Sequence, residues 1–284
     1  MAPVVIPPSR WSPGAEPQET SNSAAIASTR AGILRGLHRP GTPLLLPNVW
    51  DCQSARLVAA AGLPAVATSS AAIADTLGYH DGEATPVGEM LDAIARIVAS
   101  VDVPVTADLE RGYRMNPAEL VERLAATGAA GCNLEDSDPR TGRLIDAERQ
   151  ADFLADVRAA ALACGIDLVL NARIDTYHAG SEGEAAARLA ETVRRAHLYS
   201  TAGADCVFPI LLSDEAAIAE LVAIADAPVN ILANGDLTLA RLAELGVARI
   251  SFGPRLYQTT RTDLAELIAE LASPTPTPSS GRQR

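Results

Sequence analysis

PVTADLERGYRMNPAELVERLAATGAAGCNLED, residues 104–136, contains one full unit of the pattern that decides the fold. PVTADLE (104–110) is an apolar run of strand length that ends in Asp108 and Glu110. Asn116 followed by Pro117 is a helix-start signal, because proline's fixed φ suits the first turn. Residues 117–127 then carry their apolar side chains at helical spacing, and Gly128 offers the left-handed residue that ends a helix. AGCNLED (130–136) is a second strand, again closing on acids.

The same unit recurs along the chain. Strand-length runs stand at TPLLLPNVW (42–50), PAVATSS (64–70), DLVLNARID (167–175), ADCVFPI (204–210), APVNILAN (227–234) and VARISFG (247–253). Helical spacing is expected over 51–61, 87–100, 146–164, 182–201, 214–226 and 237–245, and once more over 261–272. AAGLPAVATS, ATGAAGCNLE, TAGADCVFP and ELGVARISFG echo one another as helix end, glycine, strand. Strands alternating with helices in this way imply an α/β fold, a (β/α)8 TIM barrel, as a single domain over residues 28–272. A doubly wound sheet is the alternative; it would need fewer strands and usually a phosphate-binding G-x-G-x-x-G, which this chain does not contain. Residues 1–27 and 273–284 are rich in Pro and Ser without periodicity and read as a disordered lead and tail.

Composition narrows the function. The chain has 284 residues, 48% of them hydrophobic, and a formal charge of −12, so a nucleic-acid partner is not expected. A small anionic substrate is compatible if a few cations are placed locally. No apolar stretch approaches the ~20 residues of a membrane span, and the N-terminus lacks a secretory pattern; a cytoplasmic protein is expected. Cys52, Cys132, Cys164 and Cys206 are scattered, as small buried hydrophobes rather than a zinc cluster. There is no lysine: all 23 basic residues are arginine. That removes Schiff-base chemistry and the P-loop lysine, so carbanion chemistry here would need another electron sink, such as a metal ion.

Polar groups gather at the strand ends, the edge where barrels place their active sites. Side chains two apart on a strand share a face, so Asp108 and Glu110 are expected to converge, with Glu135 beside them. Carboxylates packed together repel unless a cation joins them, and oxygen-only ligation favours Mg2+, with Mn2+ as the substitute. Arg173 is placed to balance a carboxylate or a developing enolate. The competing reading is that each acid caps the next helix or pairs with a surface arginine.

The segments PNVWDCQSARLVAAAG, ATSSAAIADTLGYHDGE, VTADLERGY, GAAGCNLEDS, NARID and ILAN, spread over residues 33–260, resemble the isocitrate lyase/phosphoenolpyruvate mutase superfamily. The resemblance implies a (β/α)8 barrel that binds Mg2+ and a 2-oxo acid or its enolate, and makes or breaks C–C or C–P bonds. It implies Asp108 as the acid nearest the metal, with Glu110, Glu135 and Asp81 completing the metal shell. It implies Ser69, Ser70 and Ala71 as the segment that holds the substrate carboxylate and Arg173 as the residue at the enolate oxygen, with Asp81 and Glu135 sharing the catalytic role. Trp50 and Asp51 match pocket-wall positions, and Asn234 a polar residue on a late strand. A homodimer or homotetramer is expected, and an exchanged terminal helix is left open.

The match has departures. Isocitrate and methylisocitrate lyases carry a Lys-Arg/Lys-Cys-Gly-His motif after the strand ending at Glu135; here DSDPRTGRLID (136–146) has no Cys, Lys or His. Cys132 is out of phase with Glu135 and is expected to point away. The mutases' Pro-Lys-Thr-Asn loop is replaced by Pro139-Arg140-Thr141-Gly142, in which Arg140 or Arg143 stands ready for a distal anion or is simply solvated. Arg114 replaces the glycine of a Gly-Tyr-Gly motif. Of the histidines, His80 beside Asp81 is the candidate acid/base, ahead of His178; His38 and His197 carry no signal. The sequence therefore points first to a Mg2+-dependent lyase or decarboxylase of a small 2-oxo or 2-hydroxy dicarboxylate. A C–P enzyme (phosphonopyruvate hydrolase or mutase) and a non-catalytic oxo-acid-binding barrel are the alternatives.

Overall fold

The computed structural model describes residues 20–178 and 184–272. Its strands are β1 (Leu44–Leu46), β2 (Asn48–Val49), β3 (Val66–Thr68), β4 (Val105–Asp108), β5 (Gly131–Glu135), β6 (Ser137–Asp138), β7 (Arg143–Leu144), β8 (Val169–Ile174), β9 (Cys206–Pro209), β10 (Asn230–Leu232) and β11 (Arg249–Ser251). The helices are α1 (Thr20–Gly36), α2 (Cys52–Ala60), α3 (Ser70–Leu77), α4 (Val87–Ala99), α5 (Pro117–Thr127), α6 (Ala147–Ala163), α7 (Ala185–Thr201), α8 (Glu215–Ile224), α9 (Leu239–Glu244) and α10 (Arg255–Ala272).

All eight expected strands are present, and they close. Parallel pairing runs β2–β3–β4–β5–β8–β9 on one side and β10–β11–β1 on the other. The Val207–Val229 bridge joins β9 to the start of β10. β1 and β2 are one barrel strand interrupted at Pro47, which has no N–H to give to the ladder. The doubly wound alternative is therefore excluded, because none of the eight barrel strands is left at an edge.

The opening unit folds as its residues dictate. Asn116 accepts a hydrogen bond from the Glu119 N–H, Pro117 starts α5, and Gly128 ends it at φ +77°. Gly131 is required for another reason: a Cβ there would stand 2.3 Å from the Val169 carbonyl oxygen, because β5 and β8 approach closely.

α1 corrects one expectation. The disordered lead expected up to residue 27 overlaps this helix, which begins at Thr20; residues 1–19 and the tail 273–284 lie outside the described residues. Ala31 and Leu34 of α1 are fully buried against Leu44, Leu46, Ala65, Ala67 and Val169, at the beginnings of barrel strands. Arg35 fastens the helix by bonding Asp167 and Asp205, each at 2.7 Å. α1 thus plugs the end of the barrel opposite the strand C-termini. The short helix α3 and the β6–β7 hairpin were not expected either. Among the described residues no helix is long and apolar enough to cross a membrane. α10 buries none of its side chains and leaves Leu264, Leu267, Ile268 and Leu271 exposed.

Candidate active site

The strand C-termini surround a cavity of about 160 Å³. Ser69, Ser70, Ala71, Asp81, Asp108 and Arg173 line it, all candidates from the sequence. Local folding places them. Ser69 follows β3 directly and caps α3, so the first turn of α3 faces the cavity with Ser70 and Ala71. Asp108 ends β4, and its Oδ2 accepts from the Ser70 N–H (3.1 Å) and Oγ–H (2.7 Å). A carboxylate at a helix N-terminus is stabilised by the exposed amides there.

Arg173 is the pivot. It bonds Glu135 at 2.5 Å and Asp175 at 2.6 Å. Burial works to lower its guanidinium, but Glu135, Asp175 and Asp108 outweigh that and hold it charged. One cation therefore serves several acids. Burial pushes Glu135 well up, with Asp175, Asp108 and Glu110 adding to the shift and Arg173 opposing it. Glu110 is pushed up to about 7, first by burial and then by the charges of Asp81 and Asp108, against the hydrogen bond from Tyr113. Asp81, at the exposed rim, is raised by partial enclosure and by Asp108. These acids outnumber the single arginine, and the deficit is the kind a hard cation would fill.

Glu110 does not arrive as the sequence suggested. β4 stops at Asp108, and Glu110 takes a left-handed conformation (φ +50°), so the two acids do not share a strand face. Its side chain is buried, accepting from the Glu83 N–H (2.6 Å) and the Tyr113 hydroxyl (2.5 Å). Glu110 and Glu135 stand behind the cavity wall rather than on it. Among the described residues no three His, Cys, Asp or Glu side chains come together closely enough to ligate one ion directly. The arrangement fits a hard ion that keeps much of its water, as Mg2+ does.

Four candidates are not brought to the cavity. Asp51 caps α2 in a reciprocal box with Ser54. Trp50 lines a separate, mostly apolar cavity of about 690 Å³ and packs edge-on against Tyr257. Asn234 lies in an exposed turn, bonded to Asp236. Arg140 sits on the β6–β7 hairpin, paired with Asp138 at 3.2 Å. Each is near a strand end in sequence, but the chain has already left the barrel wall. His178, rather than His80, lines the cavity. Cys132 is buried and its thiol is pushed up to about 12 by burial, as expected of an inert cysteine.

Three residues went unnoticed in the sequence. Asn48, Asn133 and Ser251 all line the cavity. Asn133 has a definite orientation. Its Oδ1 accepts from Asn171 Nδ2 (2.7 Å) and from Arg249 Nη2 (3.2 Å). Arginine only donates, so the oxygen end must face Arg249, and the Asn133 NH2 is the end left for the cavity. Arg249 itself is fully buried; burial lowers its guanidinium to about 10, and its Nε and Nη1 have no hydrogen-bond partner. The signal was available: an arginine inside VARISFG, a run otherwise apolar enough to be a core strand.

A closed parallel barrel with acids and a buried arginine at its strand C-termini has the architecture of an enzyme. The chain belongs to the phosphoenolpyruvate phosphomutase family, whose model matches residues 34–272, within the isocitrate lyase/phosphoenolpyruvate mutase superfamily of lyases and mutases. It is 36% identical to an uncharacterized protein of Mycobacterium tuberculosis over 221 residues, covering 78% of this chain and 81% of the other. It is 30% identical to a probable 2-methylisocitrate lyase of Corynebacterium glutamicum over 266 residues, covering 88% and 84%. A phosphonomutase-like protein from Burkholderia cenocepacia superposes with a TM-score of 0.79 at 43% identity, covering 84% of this chain and 99% of that one.

Proposed function

We propose that the protein is a Mg2+-dependent carbon–carbon lyase or decarboxylase that cleaves a small 2-oxo or 2-hydroxy dicarboxylate through a pyruvate-like enolate. The observation that carries this reading is Arg173, a largely enclosed and charged guanidinium facing a small cavity beside Asp108 and Asp81. Asp108 would hold the ion, with Asp81, Glu110 and Glu135 reaching it through water; Mn2+ would substitute. When bound, the ion polarises the oxo acid and offsets its negative charge.

The chain's own residues supply the rest. Glu135 and Asp175 hold the Arg173 plane in place, while a guanidinium has five donors and keeps others for an enolate oxygen. The first turn of α3 would receive the substrate carboxylate chiefly at Ala71, because Ser70 gives its N–H and hydroxyl to Asp108. The Asn133 NH2 adds a donor from the floor. Phe208, Ile210 and Leu232 form an apolar wall that keeps water from the carbanionic carbon. His178, which lines the cavity, would return a proton to that carbon. No lysine is required, which agrees with the composition.

A carbon–phosphorus enzyme is the second reading, supported by the phosphomutase family match and the 43%-identical phosphonomutase-like structure. Phosphate release instead of CO2 or aldehyde release separates the two. Self-association into a dimer or tetramer is supported by the exposed apolar side chains of α10; sedimentation of Leu267→Glu against wild type tests it.

The deciding experiment is a calorimetric titration of oxalate, a planar enolate mimic, with and without Mg2+, on wild type and Asp108→Ala. The expected result is Mg2+-dependent binding that the substitution abolishes. No binding to folded wild type would leave the non-catalytic barrel as the better reading.

A further inference from the structure

A second cavity, of about 360 Å³, opens beside the β6–β7 hairpin and shares no lining residue with the first. Its charged walls are Arg111, Arg114, Arg140 and Arg149 against Glu83 and Asp138. Asp138 is matched by Arg140, and Glu83 turns an oxygen to the Tyr113 N–H (2.6 Å). Arg111, Arg114 and Arg149 make no ion pair within 4 Å among the described residues. Four cations face two anions, a local excess of positive charge on a chain whose net charge is −12.

Two features mark Arg111 and Arg114, with Arg149 exposed beside them. Arg111 lies over the Phe153 ring at 4.2 Å, and its Nε is buried without a hydrogen-bond partner. That stacking fixes the guanidinium plane of this half-buried side chain, and water is withheld from its Nε alone. Arg114 is more telling. Tyr113 and Arg114 are consecutive non-glycine residues in the left-handed region, at φ +52° and +57°. Glycine adopts that conformation without the Cβ clash. The chain keeps an arginine where glycine would be less strained, at the edge of an arginine-lined cavity, and strain of this kind concentrates at binding sites.

We propose that this cavity is an anion-binding site for a compact dianion of the phosphate type, held by Arg111, Arg114 and Arg149. The charge excess matches a dianion, and planar guanidinium forks suit tetrahedral oxyanions. The site communicates with the catalytic acids by a short route. The Glu83 side chain faces this cavity, while its backbone N–H bonds Glu110 Oε2. The dianion is either a separate small ligand or the distal group of a ligand seated in the first cavity. The proposal does not depend on the enolate reading, because its readout is the loss of phosphate affinity in variants of this cavity's own arginines.

The test is a calorimetric titration of inorganic phosphate into the full chain in low-salt buffer without added metal, on wild type, Arg114→Gly and Arg149→Gln, with Tm for each. The expected result is saturable binding by wild type, weakened at least 10-fold in both variants, with Arg114→Gly equal to or above wild type in Tm. That combination separates lost binding from lost folding. Absence of saturable binding to wild type, or an unchanged affinity in Arg114→Gly, overturns the proposal. A competition series, run with Mg2+ present so that the first cavity can hold its ligand, assigns the source. Phosphate that competes with 3-phosphonopyruvate but not with oxalate marks a distal-group pocket; phosphate that competes with neither marks a separate ligand.

Discussion

The two ends of the barrel are built on opposite principles. At the base, Ala31 and Leu34 of α1 press into Leu44, Leu46, Ala65, Ala67 and Val169, and the flanking charges Arg35, Asp167 and Asp205 are paired. At the mouth, acids crowd one arginine, and Glu83, Glu110, Tyr113 and Arg114 all hold left-handed backbone that non-glycine residues avoid. The base therefore supplies stability, and the mouth stores strain and uncompensated charge. Natural folds keep such cost where a ligand will use it. Substitutions at the two ends should accordingly separate into different phenotypes.

The largest effect is expected at Arg173. Arg173→Met removes the charge that faces the cavity and should lower kcat/KM about 1,000-fold, near 4 kcal/mol, on whatever substrate a 2-oxo-acid panel yields. Tm should shift little compared with that loss. A variant that kept a tenth of wild-type activity would end the assignment of Arg173 to the reacting oxygen. Leu34→Ala is the complementary change. It leaves a cavity under the barrel and should cost about 2–5 kcal/mol by urea unfolding. Mg2+-dependent oxalate binding by the folded fraction should be unaltered; weakened binding would show that base and mouth are coupled after all.

The base also has a pH signature. His38 is buried, and its Nδ1 bonds the Leu34 carbonyl at 2.8 Å, so Nδ1 carries the proton and Nε2 is left without a partner. Burial, then the charge of Arg249, lowers it to about 4. A base with a depressed folded pKa stabilises the fold above its unfolded pKa of about 6.5. That contribution fades as pH falls from about 6.5 through about 4, by up to about 3 kcal/mol. His38→Gln should flatten the stability profile in that window. An unchanged slope would mean that the acid sensitivity resides elsewhere.

Most of the barrel was readable because each strand and helix states its own period. Gly128 and Pro117 end and start α5 by local sterics alone. The acids Asp108 and Glu135 were readable because acids at the end of an apolar run are anomalous; Asp81, in a loop, came only from the family resemblance. What escaped depended on chain direction after the strand ended. Asp51 looked like a pocket residue, yet a helix begins at Cys52 and takes its side chain as a cap. Asn234 turns into solvent by the same logic. Asn133 escaped for the opposite reason: one polar residue inside a strand carries no period of its own. Only the closed barrel shows that Asn133, Asn171 and Arg249 meet.

That meeting gives the smallest and most discriminating prediction. A buried cation with no acidic partner is costly, and exchange for an apolar side chain of similar size is often neutral or stabilising. Arg249→Met should therefore leave Tm unchanged or raise it. The same change removes the donor that decides which way the Asn133 amide faces. Once the amide can turn, its NH2 no longer points reliably at the ligand, and oxalate affinity in the presence of Mg2+ should fall about 10-fold, near 1.4 kcal/mol. Asn133→Leu, which removes the amide itself, should weaken oxalate by a similar factor, and the double variant should add little. If Arg249→Met instead lowers Tm and leaves oxalate binding intact, Arg249 belongs with the base of the barrel, and the boundary between its stable and strained halves lies one layer higher than Asn133.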